Sequence, residues 1–244
     1  MQLQSNDPVT MQALRVELAD ICARKLIPLT GVADLVAVTS AVPEALNRLV
    51  APVPLKTAFV GAMPLHRGVL ATIDNGPNAL YMHHYRQVNY RLDRTALELA
   101  ALLESKGFLA IAVAASQTVS TKPMLGHVSH RLLAEWAGLG WRGRNNLLVT
   151  EEFGAAVRLI SILTDAPLPC DAPLTASGCG DCIACVAACP AGAIGMSPAD
   201  YNLQACYEQL TKHTHIPFVS QHICGVCQKA CLGRRGMPPV SEER

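Results

Sequence analysis

The sequence predicts a mixed α/β chain that ends in a small cysteine-rich domain, and three observations carry that expectation. Helical patterns alternate with apolar runs that lack strict polar alternation, as in sheets covered on their faces. Composition shifts to Pro, Gly and Cys after Pro167, which puts a domain boundary near Asp171. Eight of the ten cysteines lie beyond that boundary. With 244 residues, half of them hydrophobic, the chain is long enough for one large domain over about 1–170 and a small one over about 171–244.

Taken in order, Thr10 is expected to cap a helix reaching about Lys25, followed by a short apolar strand over Asp34–Thr39 and a helix over Pro43–Leu49. Thr57–Val60 reads as a strand ended by Gly61. Asp93 is the expected N-cap of the strongest helix, which places Leu99, Leu102 and Leu103 on one face and stops at Gly107 as C′. Phe108–Ala115 follows as a continuous apolar strand. A helix over Val128–Trp136 runs into the Gly-rich turn Ala137-Gly138-Leu139-Gly140-Trp141, and Asn146–Thr150 and Val157–Thr164 read as strands either side of Gly154.

Twenty basic against nineteen acidic residues, with no dense Lys/Arg run, give no electrostatic footprint for nucleic acid. Met1–Thr10 has neither a basic n-region nor an apolar h-region, and no stretch approaches a membrane span, so no membrane partner and a cytoplasmic, reducing setting are expected. In that setting cysteines serve metals or catalysis rather than disulfides.

Cys179, Cys182, Cys185 and Cys189 follow the order C-x2-C-x2-C-x3-C with Pro190 next, the run that binds [4Fe–4S] clusters in bacterial ferredoxins. Cys224, Cys227 and Cys231 repeat its second half, with Cys206 available as a fourth ligand. In two-cluster ferredoxins the last cysteine of each run serves the other cluster. The expected sets are therefore Cys179, Cys182, Cys185 and Cys231 for one cluster, and Cys189, Cys206, Cys224 and Cys227 for the other. A zinc ribbon on Cys179, Cys182, Cys224 and Cys227 would strand four cysteines at ligand spacing. Cys22, inside an amphipathic helix, and Cys170, beside Pro169, read as a small core residue and a loop thiol.

The stretch Ala134-Glu135-Trp136-Ala137-Gly138-Leu139-Gly140-Trp141-Arg142-Gly143-Arg144-Asn145, then Leu163-Thr164-Asp165, the two cysteine groups and Cys206-Tyr207 together resemble the epoxyqueuosine reductases and their corrinoid-dependent relatives, the reductive dehalogenases. The likeness covers about the last half of the chain. It implies a nitroreductase-like α/β domain that binds a corrinoid such as cobalamin, and a ferredoxin-like module fed by a low-potential electron donor. On that basis Gly138, Gly140, Trp141, Arg142 and Arg144 are candidate cofactor-binding residues. Two other readings stand beside it: a helix C-cap and tight turn for the glycines, and guanidiniums capping carbonyls for the arginines.

The sequence departs from the resemblance where the tRNA-modifying enzymes carry a proton-donating Asp three residues before a Pro; counting back from Pro123 puts Ser120 there. The segment between Pro123 and Ala137 also looks longer and contains His127 and His130, which become the candidate general acids. Their alternative is to cap the helix or satisfy a backbone carbonyl. No counterpart of the tRNA enzymes' C-terminal repeats follows the second cysteine group, so tRNA is not the expected partner. Two functions remain: a cluster-fed reductase acting through a corrinoid or on a small molecule, or a non-catalytic iron–sulfur electron carrier. His83 and His84, beside Tyr81 and Tyr85, line a pocket or a surface.

Overall fold

The computed structural model describes residues 7–46, 50–121, 124–174 and 177–233. The elements, in chain order, are α1 (Pro8–Arg24), β1 (Leu29–Asp34), α2 (Leu35–Ala41), β2 (Thr57–Pro64), α3 (Arg67–Ala71), α4 (Ala79–Ser105), β3 (Ala110–Val113), β4 (Ser120–Thr121), β5 (Met124–Leu125), α5 (His130–Trp136), β6 (Trp141–Arg142), β7 (Leu148–Val149), β8 (Val157–Thr164), α6 (Ala184–Ala188), α7 (Leu203–His213) and α8 (Val226–Lys229). The fold is mixed α/β. It divides into two units: Met1–Met63, Val88–Leu139 and Arg158–Thr175 form the first, and Pro64–Gln87, Gly140–Val157 and Ala176–Arg244 the second.

Four strands form one sheet in the order β1-β2-β8-β3. β1 runs antiparallel to β2, from Leu29 opposite Ala62 to Asp34 opposite Thr57, and β3 antiparallel to β8, from Ala110 opposite Thr164 to Val113 opposite Ser161. The eight residues of β8 have the expected bounds and are mostly buried.

Several elements differ from the sequence expectation, each for a local reason. α1 is capped by Asp7, whose carboxylate accepts from the Val9 and Thr10 amides while Pro8 sits at the first helical position; Thr10 is already inside the helix. Asp34 ends β1 and caps α2 through the Val36 and Ala37 amides, so Leu35–Thr39 is helical where a strand was expected. A short apolar run has no periodicity to separate the two. In the expected helix at Pro43–Leu49 the chain forms a 3₁₀ turn over Pro43–Ala45, and 47–49 lie outside the described residues. β2 continues past Gly61 to Pro64. Asp93 is no cap: it lies well inside α4, and its carboxylate accepts from the Ala115 amide. The helix does end as expected, with Gly107 at φ 89°. β3 is the central part of the expected Phe108–Ala115 run, and α5 begins at His130, capped by Ser129.

The core of the first unit follows from helical spacing. α1 buries Met11, Leu14, Leu18 and Cys22, and α4 buries Leu92, Ala96, Leu99 and Leu103, each set returning every three or four residues. Cys22 is fully buried, and burial pushes its thiol up to about 12. Beyond β8 the chain is fastened by Asp171, whose carboxylate accepts two hydrogen bonds of 2.8 Å from Arg15 and one of 2.8 Å from the Val32 amide. Its own amide donates to the Val32 carbonyl. Asp171→Ala leaves the Arg15 charge and the Val32 amide without these acceptors, and is expected to cost about 1–3 kcal/mol. A lowered urea midpoint at unchanged slope checks this; an unchanged midpoint refutes it.

Candidate metal centre

Cys179 and Cys182 lie on the turn before α6, where the Cys182 amide donates to the Cys179 carbonyl. Cys185 is a buried residue of α6, and Cys189 caps the C-terminus of that helix. Its sulfur accepts from the Ala193 amide at 3.4 Å. Cys206 is on α7. Cys224 precedes α8, Cys227 lies within it and Cys231 follows it. Gly225 opens α8 with φ 85°, in the left-handed region. α6 packs on α8, which brings the two cysteine groups together.

α8 is clamped in the second unit by polar contacts. The Gln228 amide oxygen accepts from the Tyr81 hydroxyl at 2.8 Å and its nitrogen donates to the Ala155 carbonyl at 3.1 Å; Lys229 Nζ donates to the Ile73 carbonyl. The Cys231 carbonyl accepts from the Ala155 amide. Gly154 approaches that carbonyl so closely that a Cβ has no room.

The thiols act on one another in two sets. The Cys231 thiol is pushed up to about 11 by burial, and further by Cys185, Cys179 and Cys182. Cys185 is raised by burial and then by Cys179 and Cys182. Cys227 is raised by burial and then by Cys224, Cys206 and Cys189, with Cys185 the weakest influence. Cys224, at about 11, is raised by burial and then by Cys206 and Cys189, and Cys206 by burial and Cys189. Cys231 thus keeps company with the first cysteine group, and Cys189 with the second.

Among the described residues no three Cys, His, Asp or Glu side chains converge tightly enough to hold a single ion. A zinc site requires such convergence at ~2.0–2.3 Å. A cubane gives each thiolate its own iron, so its ligands stand farther apart, and the two quartets suit it by donor type.

The Gly-rich turn holds the first cysteine loop. Trp141 is on β6, paired with Val149 of β7, and its indole Nε1 donates to Cys179 Sγ at 3.3 Å. Arg144 donates to the carbonyls of Met196 at 2.6 Å, Gly180 at 2.7 Å and Cys182 at 2.9 Å. Arg142 donates to Asn146 and to the Pro198 carbonyl. Burial raises the Cys179 thiol, but the Trp141 indole, the Arg144 main chain, Ser177 and the Arg144 charge together hold it below its ordinary value. Both arginines thus donate to main-chain carbonyls. The glycines make room for the chain itself: a Cβ on Gly138, where φ is 68°, meets the Ala172 carbonyl at 2.7 Å, and one on Gly140 meets that of Val149. Asn145 Nδ2, at the end of the same turn, is buried without a partner among the described residues.

Sequence reading missed Tyr201, whose hydroxyl is hydrogen-bonded to Cys206. Five residues from that cysteine and outside any motif, it carries no signal of its own.

His130 Nε2 faces the Ala114 carbonyl at 2.9 Å and Nδ1 the Ser161 hydroxyl at 2.8 Å, so both ring nitrogens have protein partners. His127 precedes α5 and is half-buried, and Ser120 is on β4; Pro123 lies outside the described residues. Tyr81 and His84 are buried, and His84 Nε2 accepts from the His66 amide at 3.0 Å. Desolvation, then Arg158, lowers the His130 pKa against the opposing pull of Ala114 and Asp93. The unfolded chain therefore binds a proton below the ordinary value of 6.5 that the folded chain resists, and stability falls on acidification through that range. The dependence carries a slope of at most about 1.4 kcal/mol per pH unit from this one group. His130→Gln is expected to flatten unfolding free energy measured between neutral and mildly acidic pH; an unchanged slope refutes it.

An epoxyqueuosine reductase bound to an epoxyqueuosine-modified tRNA-Tyr stem loop matches with a TM-score of 0.59 and 20% identity, over 91% of this chain and 65% of that one. A catabolic reductive dehalogenase matches with a TM-score of 0.67 and 18% identity, over 94% of this chain and 33% of that one. The chain thus has the mixed α/β fold of these reductases. Its curated homologues are named epoxyqueuosine reductase: those of Escherichia coli (strain K12), at 36% identity over 134 residues, Listeria monocytogenes, at 35% over 119, and Shigella dysenteriae serotype 1, at 42% over 134. The matches cover 51%, 46% and 51% of this chain, but only 34%, 31% and 34% of those relatives. No family model matches. Among the described residues no helix is long and apolar enough to cross a membrane.

Proposed function

We propose that this chain is an iron–sulfur reductase related to the epoxyqueuosine reductases. Residues 1–170 act as a nitroreductase-like domain for substrate or corrinoid, and residues 171–244 as a ferredoxin-like module. Cys179, Cys182, Cys185 and Cys231 hold one [4Fe–4S] cluster; Cys189, Cys206, Cys224 and Cys227 hold the other. The carrying observation is the packing of α6 on α8, which brings the two spaced cysteine groups together; the electrostatic influences run the same way, with the first group acting on Cys231 and Cys189 acting on the second. That crossing is the two-cluster ferredoxin pattern. Raised thiols are also what cluster assembly requires the metal to overcome, since ligation releases their protons.

The clusters supply single electrons at low potential. The chain's own residues would bind them, with Cys185 buried and the four cysteines of the second set half-buried. A corrinoid is suggested by the relatives, yet Trp141 and Arg144 hold the cysteine loop, and Gly138 and Gly140 accommodate backbone, so no corrinoid contact is assigned to them. His127 and His130 are the candidate general acids, and a proton held by His130 would have to leave a ring whose two nitrogens face the Ser161 hydroxyl and the Ala114 carbonyl. The expectation against tRNA does not carry over, because one structural neighbour holds a tRNA stem loop. The cytoplasm, where thiols stay reduced, suits such a chain. The missing carboxylate at Ser120 favours the second reading, a non-catalytic electron carrier.

Anaerobically reconstituted protein is expected to hold about eight iron and eight acid-labile sulfide per chain. Stoichiometric zinc without iron overturns the assignment. Cys189→Ser should damage the cluster of Cys224 and Cys227 more than that of Cys179 and Cys182, and Cys231→Ser the reverse; the opposite pattern overturns the crossing. Titration with cobalamin in the dark separates the two functions. A base-off spectral shift supports the reductase, and no change at large excess supports the carrier.

A further inference from the structure

The two cysteine quartets sit in unlike electrostatic surroundings. In the first, Cys179 Sγ accepts from the Trp141 indole at 3.3 Å, and the Arg144 guanidinium is fastened over the same loop by the Gly180 and Cys182 carbonyls. The guanidinium charge acts on both Cys179 and Cys185. Around the second quartet, among the described residues, the charges acting on Cys206, Cys224 and Cys227 are those of other cysteines; the donor to Cys206 is a neutral hydroxyl, Tyr201, and that to Cys189 the Ala193 amide at 3.4 Å.

A [4Fe–4S] cluster gains one electron on reduction and no proton, so its thiolate shell becomes more negative as a whole. Donors to the sulfurs and a fixed nearby cation stabilise that reduced state more than the oxidised one, and raise the potential. Resting on the cluster assignment above, we infer that Trp141 and Arg144 are positioning residues that tune the Cys179/Cys182/Cys185/Cys231 cluster. They set it at a higher potential than its neighbour, so the first electron to enter the pair comes to rest on it. Arg144 is suited to this because its charge persists at every accessible pH and its planar fork reaches several carbonyls at once. Trp141 is held for it by packing, since a Cβ on Gly178 would lie 2.5 Å from the indole ring.

The test uses the full chain, reconstituted anaerobically, assayed for iron and sulfide, then titrated with a low-potential chemical reductant while electron paramagnetic resonance follows each cluster. The parent should show two separate one-electron steps. Trp141→Phe keeps the ring and removes the donor; it should retain its iron and lower the upper step by about 59 mV, a tenfold change in the reduced-to-oxidised ratio at fixed potential, while the lower step stays put. Arg144→Gln should move the same step in the same direction, and Arg144→Lys, which keeps the charge, less far. Upper steps unmoved in both Trp141→Phe and Arg144→Gln, or both steps moved equally, overturn the inference while leaving the clusters in place. If neither variant retains iron, the role is structural rather than tuning, and the inference falls. An iron-free parent overturns the cluster assignment itself.

Discussion

Mutual repulsion among closely placed, mostly half-buried cysteine sulfurs is the constraint on which the cysteine-bearing unit depends. Burial pushes most of these thiols up and neighbouring cysteines push them further, so the charged state that binds metal is held together only with compensation. α6, α8 and the turns around them keep the groups close despite that cost. The clamps on α8, from Tyr81 through Gln228 and from Lys229 to the Ile73 carbonyl, use a neutral hydrogen bond and one cation–carbonyl contact.

The Gly-rich turn acts through what it lacks as much as through what it carries. Gly31 leaves room for the Ala137 carbonyl, Gly138 for that of Ala172 and Gly140 for that of Val149. Within the second unit the Gly140 approach accompanies the pairing of Trp141 with Val149. At these three positions the missing side chain lets backbone approach backbone.

The histidines show how a titratable group can be absorbed by the fold. His130 stands at the first position of α5, and its ring bridges the Ala114 carbonyl and Ser161 of β8. The same ring that sequence offers as a proton donor ties a helix start to a sheet strand, and its burial favours the neutral form.

Periodic burial was legible without coordinates: the apolar stripe of α1, the Leu99 and Leu103 face of α4, the full extent of β8 and the stop at Gly107 follow from residue spacing and glycine's freedom at positive φ. Helix starts were not, because Asp7, Asp34 and Ser129 all look alike as polar residues, and only the amides their side chains meet distinguish a cap from a surface group. The spacing of eight cysteines by itself determined which thiols belong to short loops and which pair of sets to expect, since a loop of two or three residues limits how far its thiols can spread. Tertiary structure alone decided what Trp141, Arg144, Gly138 and Gly140 do. Their partners, the Cys179 sulfur and the carbonyls of Val149, Ala172, Gly180, Cys182 and Met196, are distant in sequence, and no local pattern records which backbone a folded chain will bring against which side chain.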